Sequence, residues 1–301
     1  MATFNYATKD GGLFDQKINQ GLLTSALGQD GLQFVDGARS FKLTTLTTGG
    51  LKPHTRDKGF NSIDVMNDKK IYTMGQDRDA EIFLDRQDVD ETNQDLAVAN
   101  LTNIFVTEHV QPELDAYRFS KIIEWAKALG DNKHYAEEAL DESNVYTRLK
   151  AAILPIRKYN PSTIIGFVSS QVMDALERSK EFTRQITNQN VGLTALESRV
   201  TSIDGITLVE VWDDQRFHAT YDFSDGFKPT GAAINFAFVS NTAIIRAVKE
   251  SAVFLFAPGE HSQGDGWLYQ NRLYHDIFLR DALKDGLSAS VLKEAAPAGG
   301  K

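Results

Sequence analysis

Two neighbouring stretches decide the fold: YTMGQDRDAEIFLDRQDVDET over Tyr72–Thr92, and HVQPELDAYRFSKIIEWAKAL over His109–Leu129. The first alternates polar and apolar residues and then becomes acidic, which predicts a strand that ends in an acidic corner. The second continues an apolar pattern from Asp95 that is typical of one long amphipathic helix ending at Gly130. Pro112 lies inside this pattern and predicts a kink or a division of the helix.

Upstream of these stretches, residues 41–85 predict a long hairpin with a polar tip. FKLTTLTT, which begins at Phe41, is dominated by strand-forming residues. Gly49-Gly50 and the following KPHTRDKGFNS supply turn chemistry. The return strand is predicted in IYTMGQDRDAEIFLD, over residues 71–85. An isolated hairpin of this length is marginal in water, so we expect it to lie on another surface.

The rest of the chain predicts an arm and a second lobe. Residues 1–40 predict an extended arm with one helix near Leu13–Leu27, and the lobe begins near Asp141. The elements predicted in the lobe are a helix through Val145, Leu149 and Ile153 capped by Ser143 or Asn144, a strand over residues 163–168, a helix to Lys180 capped by Ser169 or Ser170, a hairpin at Asp204-Gly205, a strand in INFAFVS, a helix in NTAIIRAVK, a strand over Phe254–Phe256 and a long strand in GWLYQNRLYHDIFL. Helices and strands mix without regular alternation, so the predicted fold class is α+β.

Composition narrows the possible function classes. The chain has 301 residues, of which 42% are hydrophobic and 24% charged, as in ordinary folded domains. It has neither a long apolar run that predicts a membrane span nor an N-terminal pattern that predicts a secretory signal. Because cysteine is absent, disulfides, thiolate metal sites and a cysteine nucleophile are excluded. A net charge of −9 without a basic stripe argues against tight, extensive binding of nucleic acid.

The common catalytic and nucleotide-binding spacings are absent from the sequence, including H-E-x-x-H, G-x-S-x-G and G-x-x-x-x-G-K-[ST]. Read as a calcium loop from Asp88, the acidic stretch has Asn93 where glycine is needed and Ala99 where glutamate is needed. No histidine lies within four residues of another, so the sequence offers no short-range metal pair; the histidines are His54, His109, His134, His218, His261 and His275.

One loop carries residues that could support catalysis. PGEHSQGDGW, over Pro258–Trp267, holds Glu260, His261, Ser262 and Asp265. These residues could place a base beside a hydroxyl group, but a tight turn uses the same residue types. Asp213-Asp214 offers the same choice between paired carboxylates and a turn that ends a strand. We favour the turns, and predict that the chain is not an enzyme and has no catalytic residue, cofactor or metal.

Five stretches together resemble the major capsid proteins of tailed bacteriophages, which share the HK97-like fold. They are DRDAEIFLDRQDVDET, VQPELDAYRFSKI, GITLVEVWDDQRF, INFAFVSNTAIIRAVK and DGWLYQNRLYHDIFL. The second is similar to the long helix of that family, with its Pro-Glu-apolar-Asp-x-Tyr-Arg pattern. The last is similar to the closing strand, with an Arg-x-Tyr-x-Asp pattern at Arg272, Tyr274 and Asp276. The resemblance rests on the combination and order of these stretches across nearly the whole chain.

The resemblance implies an α+β, HK97-like fold in five parts. Four of these are an N-terminal arm (1–40), an extended β-hairpin loop (41–85), a peripheral domain with the long spine helix (86–140 and 255–290) and an axial domain (141–254). The fifth, a flexible C-terminal tail (291–301), is predicted from its small, Pro/Gly-rich residues. It further implies a major capsid (head) protein that self-assembles as pentamers and hexamers into an icosahedral shell around double-stranded phage DNA. Assembly is expected in the cytoplasm of the bacterial host, and the product is the virion capsid.

The resemblance also implies partners. They are other copies of the chain, a portal protein and decoration or head-completion proteins, with packaged DNA contacted only weakly and no membrane. The chain leaves no room for a cleaved scaffolding segment, so we expect a separate scaffolding protein. Some relatives join a lysine of the extended loop covalently to an asparagine of a neighbour. No pattern assigns such a pair among Lys52, Lys58, Lys69 and Lys70, so we predict no crosslink.

Charge predicts one contact between subunits. The loop tip has three cations, Lys52, Arg56 and Lys58, against Asp57 alone, whereas residues 77–95 contain eight acids and two arginines. We expect the tip to dock on an acidic flank of a neighbouring subunit, formed by Asp85, Asp88, Asp90 and Glu91. Exposed ion pairs contribute only about 0–1 kcal/mol each, so this contact would set register more than stability.

Three alternatives to a phage capsid remain open at this point. An encapsulin-type shell has the same fold and holds a cargo protein. A cytosolic enzyme could assemble its site from distant residues and would show a deep pocket in a monomer or small oligomer. A tail-tube subunit would form tubes, although the long helix argues against it because tube subunits consist mostly of strands.

Overall fold

A computed structural model describes residues 20–28, 40–54, 60–91, 98–180 and 202–293. Most of the predicted arm and most of the predicted tail lie outside these residues. The helix predicted near Leu13–Leu27 is described only at its end, where Leu23–Ala26 forms a short 3₁₀ turn.

The described residues mix helices and strands along the chain. The strands are β1 (Ser40–Thr48), β2 (Val65–Thr73), β3 (Gln76–Asp85), β4 (Tyr135–Glu137), β5 (Ile164–Ser169), β6 (Ser202–Ile203), β7 (Ile206–Val211), β8 (Tyr221–Asp222), β9 (Lys228–Pro229), β10 (Ile234–Ser240), β11 (Ile244–Phe256), β12 (Gly266–Leu279) and β13 (Leu287–Val291). The α-helices are α1 (Arg86–Glu91), α2 (Val98–Phe105), α3 (Gln111–Ala128), α4 (Val145–Ile153) and α5 (Ser170–Arg178).

A six-stranded sheet in the order β4-β13-β10-β5-β7-β6 forms the larger core. Alternate side chains of β10 point to opposite faces, and both faces are covered, so all seven residues of this strand are buried. Phe236 and Phe238 pack with α4 and α5 on one face. Ala237 and Val239 pack with Phe119 and other residues of α3 on the opposite face. The sheet is therefore the middle layer between the long helix and the two shorter ones.

A second sheet is long, narrow and antiparallel, in the order β11-β12-β3. β12 has 14 residues, of which Leu268–Leu279 pair with β11 on one side and Gly266–His275 with β3 on the other. β1 and β2 form a separate hairpin in which Ser40 pairs with Thr73 and Thr48 with Val65. β8 and β9, which lie between β7 and β10 in the chain, form a separate two-stranded ribbon.

The long helix is present and is divided as Pro112 predicts. α2 ends at Phe105, Val106–Val110 forms a π-helical turn, and α3 follows with Pro112 in its first turn. Phe105 and Gln111 keep helical backbone angles, so the backbone stays helical through the π turn. Proline cannot donate a hydrogen bond to the preceding turn, and a π turn at this point accommodates the missing bond. The helix ends as predicted, with Gly130 at a φ of 70°.

Several local predictions in the second lobe are confirmed. β5 lies in TIIGFVS, and Ser169 Oγ accepts a hydrogen bond from the Val172 N–H at the start of α5. Asp204-Gly205 forms the two-residue turn between β6 and β7, with both residues at positive φ. The helix α4 is also present, but neither Ser143 nor Asn144 caps it with its side chain. Asp141 Oδ1 accepts from the N–H groups of these two residues instead.

Two predicted elements are wrong. The return strand of the hairpin does not run unbroken over residues 71–85, because it divides at Met74-Gly75 into β2 and β3, which join different sheets. NTAIIRAVK is not a helix beyond one 3₁₀ turn at Asn241–Ala243, since the residues from Ile244 onward form β11. Pairing with the long β12 overrides the apolar spacing in this stretch.

The division into arm, loop, peripheral and axial domains stays a prediction. The six-stranded sheet combines β4 and β13, from the predicted peripheral domain, with strands of the predicted axial domain. β11 crosses the predicted boundary at residue 254 and pairs with β12 on both sides of it.

Close packing in the larger sheet generates a test at Gly166, in the middle of β5. A Cβ atom at this position would lie 2.5 Å from Phe238 Cε1 and 2.9 Å from Leu208 Cδ2. We therefore expect Gly166→Ala to lower the free energy of unfolding by about 1–3 kcal/mol through overpacking. Urea denaturation of the unassembled subunit measures the change. Gly50→Ala is the matched control, because a Cβ there meets nothing within 4 Å; equal effects of the two variants would contradict the expectation.

Candidate functional site

The loop singled out for possible catalysis is a turn closed by its own polar groups. Glu260 Oε2 accepts a hydrogen bond from the Ala257 N–H at 2.9 Å. His261 Nδ1 accepts from the Gln263 N–H at 3.2 Å, and its Nε2 lies 2.8 Å from the Gly266 carbonyl oxygen. Both ring nitrogens are thus engaged within the loop, which is how a turn uses these residues. Asp213 likewise accepts from the Gln215 N–H at a 3₁₀ turn that follows β7.

No group of three or more histidine, aspartate or glutamate side chains within the described ranges could hold a metal ion. Among the helices of those ranges, none is long and apolar enough to cross a membrane.

A fully buried ion pair joins the long helix to the turn after β7. Asp115 lies on α3 and Arg216 in the 3₁₀ turn, and both side chains are inaccessible to solvent. Arg216 Nη1 donates to Asp115 Oδ2 at 3.1 Å, and its Nε donates to Asp213 Oδ2 at 3.0 Å. A buried charge is tolerated only with a well-placed counter-charge and satisfied hydrogen bonds, so this pair requires a fixed geometry.

The same carboxylate binds a short segment of the arm. Asp115 accepts hydrogen bonds from the backbone N–H groups of Leu23 and Thr24, each at 3.0 Å, and from Thr24 Oγ1 at 2.6 Å. Arg118, one turn along α3, donates to Thr24 Oγ1 at 2.8 Å. Arg216 Nη1 also donates to the Gly21 carbonyl oxygen at 3.2 Å. Residues 21–24 are therefore held by charge-assisted bonds from two elements that are distant in sequence.

Both ends of this arm segment are anchored as well. Gln20 donates to the Glu210 carbonyl oxygen at 2.7 Å and accepts from the Trp212 N–H at 3.1 Å. At the other end, the Gly28 N–H donates to Asn241 Oδ1 at 2.5 Å. Gly28 has a φ of 84°, and a Cβ there would lie 3.1 Å from Arg246, so glycine suits this close approach.

A second buried network joins α3 to the long sheet. Tyr117 donates its hydroxyl to Asp276 Oδ1 at 2.8 Å, and the Gly75 N–H donates to Asp276 Oδ2 at 2.9 Å. Burial and the adjacent carboxylate of Asp276 raise the pKa of Tyr117, so the tyrosine stays a hydrogen-bond donor. The Gly75 bond fixes the point at which β2 ends and β3 begins.

His275 lies beside this network and is almost completely buried. Its ring packs edge-on against Tyr117, with 5.5 Å between ring centroids. Burial, reinforced by the guanidinium groups of Arg118 and Arg78, lowers the pKa of His275 to about 3. The ring is therefore neutral at physiological pH, since protonation would place a third positive charge among the arginines.

An aromatic cluster fixes the base of the hairpin. Phe41 of β1 and Tyr72 of β2 stack with ring centroids 5.3 Å apart, and Phe278 of β12 meets both edge-on at 5.2 and 5.4 Å. Tyr72 also donates to the Leu279 carbonyl oxygen at 3.2 Å. Lys70 and Asp281 form an exposed ion pair at 2.6 Å on the same side. The hairpin thus projects from a packed base at one end of the long sheet.

Beyond this base the hairpin is mostly solvent-exposed. Leu46, Val65 and Ile71 share one face, because Leu46 pairs with Asn67, Val65 with Thr48 and Ile71 with Lys42. Each of these three aliphatic side chains is more than half exposed. Polar residues of the same face, such as Lys69 opposite Thr44, lie between Ile71 and Leu46. Exposed aliphatic residues along a long two-stranded ribbon are typical of a surface that another chain covers.

The residues of the predicted charge contact are only partly described. Lys52 donates to the Ser62 carbonyl oxygen at 2.7 Å within the loop, while Arg56 and Lys58 lie outside the described residues. On the acidic flank, Asp85 Oδ1 accepts from the Gln87 N–H at the start of α1. Asp88, Asp90 and Glu91 follow within the same helix. The flank is a helix start with its own hydrogen bonding, and its docking role stays a prediction.

A cleft of about 300 Å³ lies between the long helix and the long sheet. Its apolar lining comes from several elements: Ala80, Phe105, Val110, Leu114 and Leu273. Arg78 bridges one side, donating to Glu113 Oε1 at 2.7 Å and to the Phe223 carbonyl oxygen at 2.6 Å. The cleft therefore lies where the π turn, β3, β12 and the β8–β9 ribbon meet.

Solved phage capsid structures share this architecture over nearly the whole chain. The asymmetric unit of the bacteriophage PhiM1 mature capsid is 16% identical, with a TM-score of 0.64, and the match covers 98% of this chain and 93% of that one. The capsid of cyanophage P-SCSP1u is 9% identical, with a TM-score of 0.68 over 96% and 93% of the two chains. A structure from Mycobacterium phage Che8 is 11% identical, with a TM-score of 0.61 over 96% and 98%. No family model and no curated protein sequence matches the chain.

These likenesses define the class of fold. The chain has an α+β, HK97-like fold, as predicted. More particularly, it is the fold of the capsid proteins of bacteriophages, and the resemblance to the major capsid proteins of tailed phages is confirmed at the level of the fold.

The buried ion pair generates a stability prediction. Asp115→Ala leaves Arg216 buried without one of its carboxylates and frees the arm segment, so we expect a loss of about 3–5 kcal/mol in the free energy of unfolding. Glu124→Ala on the same helix is the control, because Glu124 pairs with Lys121 on the exposed surface. We expect that change to stay within about 1 kcal/mol. Urea denaturation of the unassembled subunits tests both, and similar losses would contradict a special role for the buried pair.

Burial of neutral His275 generates a pH prediction. Below about pH 6.5 the unfolded histidine binds a proton, while the folded His275 does not until about pH 3. The free energy of unfolding therefore decreases as pH falls through this window, by up to about 1.4 kcal/mol per pH unit. We expect His275→Gln to lose this component of the pH slope between pH 6.5 and 4.5.

Denaturant titrations at each pH measure the slope for wild type and variants. His54→Gln is the matched control, since His54 is exposed in the loop that follows β1. It should keep the wild-type slope. An unchanged slope in His275→Gln would show that the slope comes from other groups.

Proposed function

We propose that this chain is a major capsid (head) protein that self-assembles as pentamers and hexamers into an icosahedral shell around double-stranded phage DNA. The observation that carries the proposal is the exposed hairpin, whose aliphatic face has no cover from the described part of its own chain. The shared fold with phage capsid structures supports the proposal independently. The virion capsid would then be its location, after assembly in the cytoplasm of the bacterial host.

The role is structural rather than enzymatic in this proposal. The polar loop at Pro258–Trp267 uses its histidine and glutamate to close a turn, which leaves the hairpin as the better-supported functional feature. An acidic chain with a net charge of −9 suits a container wall that must not bind packaged DNA tightly. A separate scaffolding protein, a portal protein and decoration or head-completion proteins complete the proposed set of partners.

Within the shell, we propose that the basic hairpin tip docks on an acidic surface of a neighbouring subunit. Lys52, Arg56 and Lys58 supply the positive charge. The predicted acceptor is the acidic flank at Asp85, Asp88, Asp90 and Glu91. Each contact is weak, and many contacts per subunit would close a stable particle by multivalency.

Negative-stain electron microscopy with light scattering tests the proposed function. Closed shells, or rings of five or six, would support it. Co-purified cargo protein inside such shells would favour the encapsulin-type alternative, whereas tubes would favour a tail subunit. A protein that stays monomeric even with a candidate scaffold would overturn the proposal.

Charge reversal at the tip gives a sharper prediction. Arg56→Glu with Lys58→Glu should reduce particle yield at low salt, because the tip would then repel an acidic neighbour. The defect should become smaller as salt rises and screens the charges. Asp57→Asn is the matched control in the same loop, and it should assemble at least as well as wild type. Unchanged yield of the double variant at low salt would discard the charge contact.

A further inference from the structure

Two apolar side chains at the hairpin tip are fully exposed in the described part of the chain, and the only ring contact described for either is a tilted one between Phe60 and the exposed His54 at 6.4 Å. The relative exposure of Phe60 is 101%, and that of Leu51 is 104%. Neither belongs to a strand, and both lie about one strand length from the aromatic base, which is roughly 30 Å for nine residues. Two fully exposed large apolar residues at the end of a ribbon are costly in water and are typical of residues that enter a pocket on another molecule.

The cleft between the long helix and the long sheet offers such a pocket. It encloses about 300 Å³, enough for one aromatic side chain, and its lining includes Ala80, Phe105, Val110, Leu114 and Leu273. Pockets with mostly apolar walls and a few polar groups are the usual sites for an inserted group.

The charges around the two features are opposite. Among the residues that line the cleft, three are acids, Asp79, Glu113 and Asp225, and one is a cation, Arg78. Arg78 pairs with Glu113, and Lys228 beside the cleft pairs with Asp225, so the rim carries a small net negative charge. Between Leu51 and Phe60, three cations outnumber the single acid Asp57. A tip whose apolar residues have basic neighbours in the sequence therefore complements an apolar cleft whose rim is slightly acidic.

We propose that Phe60 of one subunit inserts into this cleft of a second copy of the chain. The inference rests on the proposed function and deepens it, because it moves the acceptor of the tip from the acidic flank at Asp85–Glu91 to the rim formed by Asp79, Glu113 and Asp225. The second copy is the occupant because the same chain carries both complementary halves.

The symmetry of such a contact fits rings. Phe60 and the cleft lie on different parts of the chain, so the interface is heterologous. Each subunit can insert its own tip into one neighbour and accept the tip of another. A heterologous interface closes into a ring when the rotation between neighbours divides a full turn, and otherwise it forms an open helical filament. Insertion of Phe60 would thus join the subunits of a pentamer or hexamer head to tail, each tip entering the cleft of the next subunit.

Crosslinking between two singly substituted proteins tests the contact, because the natural chain has no cysteine. Ser62→Cys places a thiol beside the tip without removing Phe60, and His109→Cys places one at the exposed edge of the cleft. The two proteins are mixed, assembled and treated with a short bis-maleimide, and heterodimers are counted on a denaturing gel. Ser62→Cys mixed with Asp88→Cys is the matched control for the acidic flank.

The outcomes distinguish insertion of Phe60 into the cleft from the capsid role itself. Heterodimers with His109→Cys, and few with Asp88→Cys, would support insertion into the cleft. Shells that give heterodimers only with Asp88→Cys, or none at all, would overturn the insertion and leave the proposed function standing. Heterodimers with His109→Cys in a protein that never forms rings or shells would support the insertion and contradict the capsid role. Absence of both heterodimers and shells would overturn both.

Substitution of Phe60 tests the insertion independently, through its effect on assembly. We expect Phe60→Ala to raise the protein concentration needed for assembly by about tenfold or more, as for truncation of an aromatic anchor. Phe60→Leu should recover part of this loss because it keeps an apolar group. Unfolding of the unassembled subunit should not change in either variant, since Phe60 is fully exposed there. Assembly of Phe60→Ala at the wild-type concentration would overturn the proposal.

Discussion

The buried carboxylate of Asp115 is the constraint on which the rest of the structure depends. It is bound by Arg216 and by two backbone N–H groups of the arm segment, in a region closed to solvent. A desolvated charge is stable only while these partners stay in place. The positions of the arm segment, the long helix and the turn after β7 are consequently linked. Tyr117 extends the linkage to the long sheet through Asp276, so a few residues of one helix hold four parts of the chain.

The Asp115 and Asp276 networks form a framework that anchors the hairpin at its base but does not cover it. Its base is packed by aromatic rings and its end is fixed by the Gly75 hydrogen bond to Asp276, yet the described residues of its distal half are mostly exposed. The free energy gained by burying an apolar face is therefore not realised within one subunit. Association with another copy would bury this face, which is consistent with the proposed capsid role.

Local patterns predicted much of the fold. β10 and β12 follow from their apolar and alternating residues, the Asp204-Gly205 turn from its dipeptide, and the long helix from its apolar spacing with Pro112 inside. The predictions that failed concern elements fixed by contacts with residues distant in sequence. The first part of β11, residues 244–249, has the apolar spacing of a helix, and its pairing with β12 makes it a strand. The division of the return strand at Gly75 depends on a carboxylate 201 positions away. The cleft was missed for the same reason, because its lining comes from four distant segments, whereas the charge of the tip is visible in one.

Charged groups inside the framework make physical sense under the proposed capsid role, in which the protein must assemble. Buried ion pairs are weak evidence for stability, since apolar residues often pack as well, but they penalise any arrangement that separates the partners. An angular error of about 10° at the hairpin base would move a tip roughly 30 Å away by about 5 Å, enough to miss a pocket for one side chain. A ring closes only if every interface repeats the same geometry. We infer that the Asp115 and Asp276 networks serve this repetition, by holding the base of the hairpin and the walls of the cleft in one fixed relation.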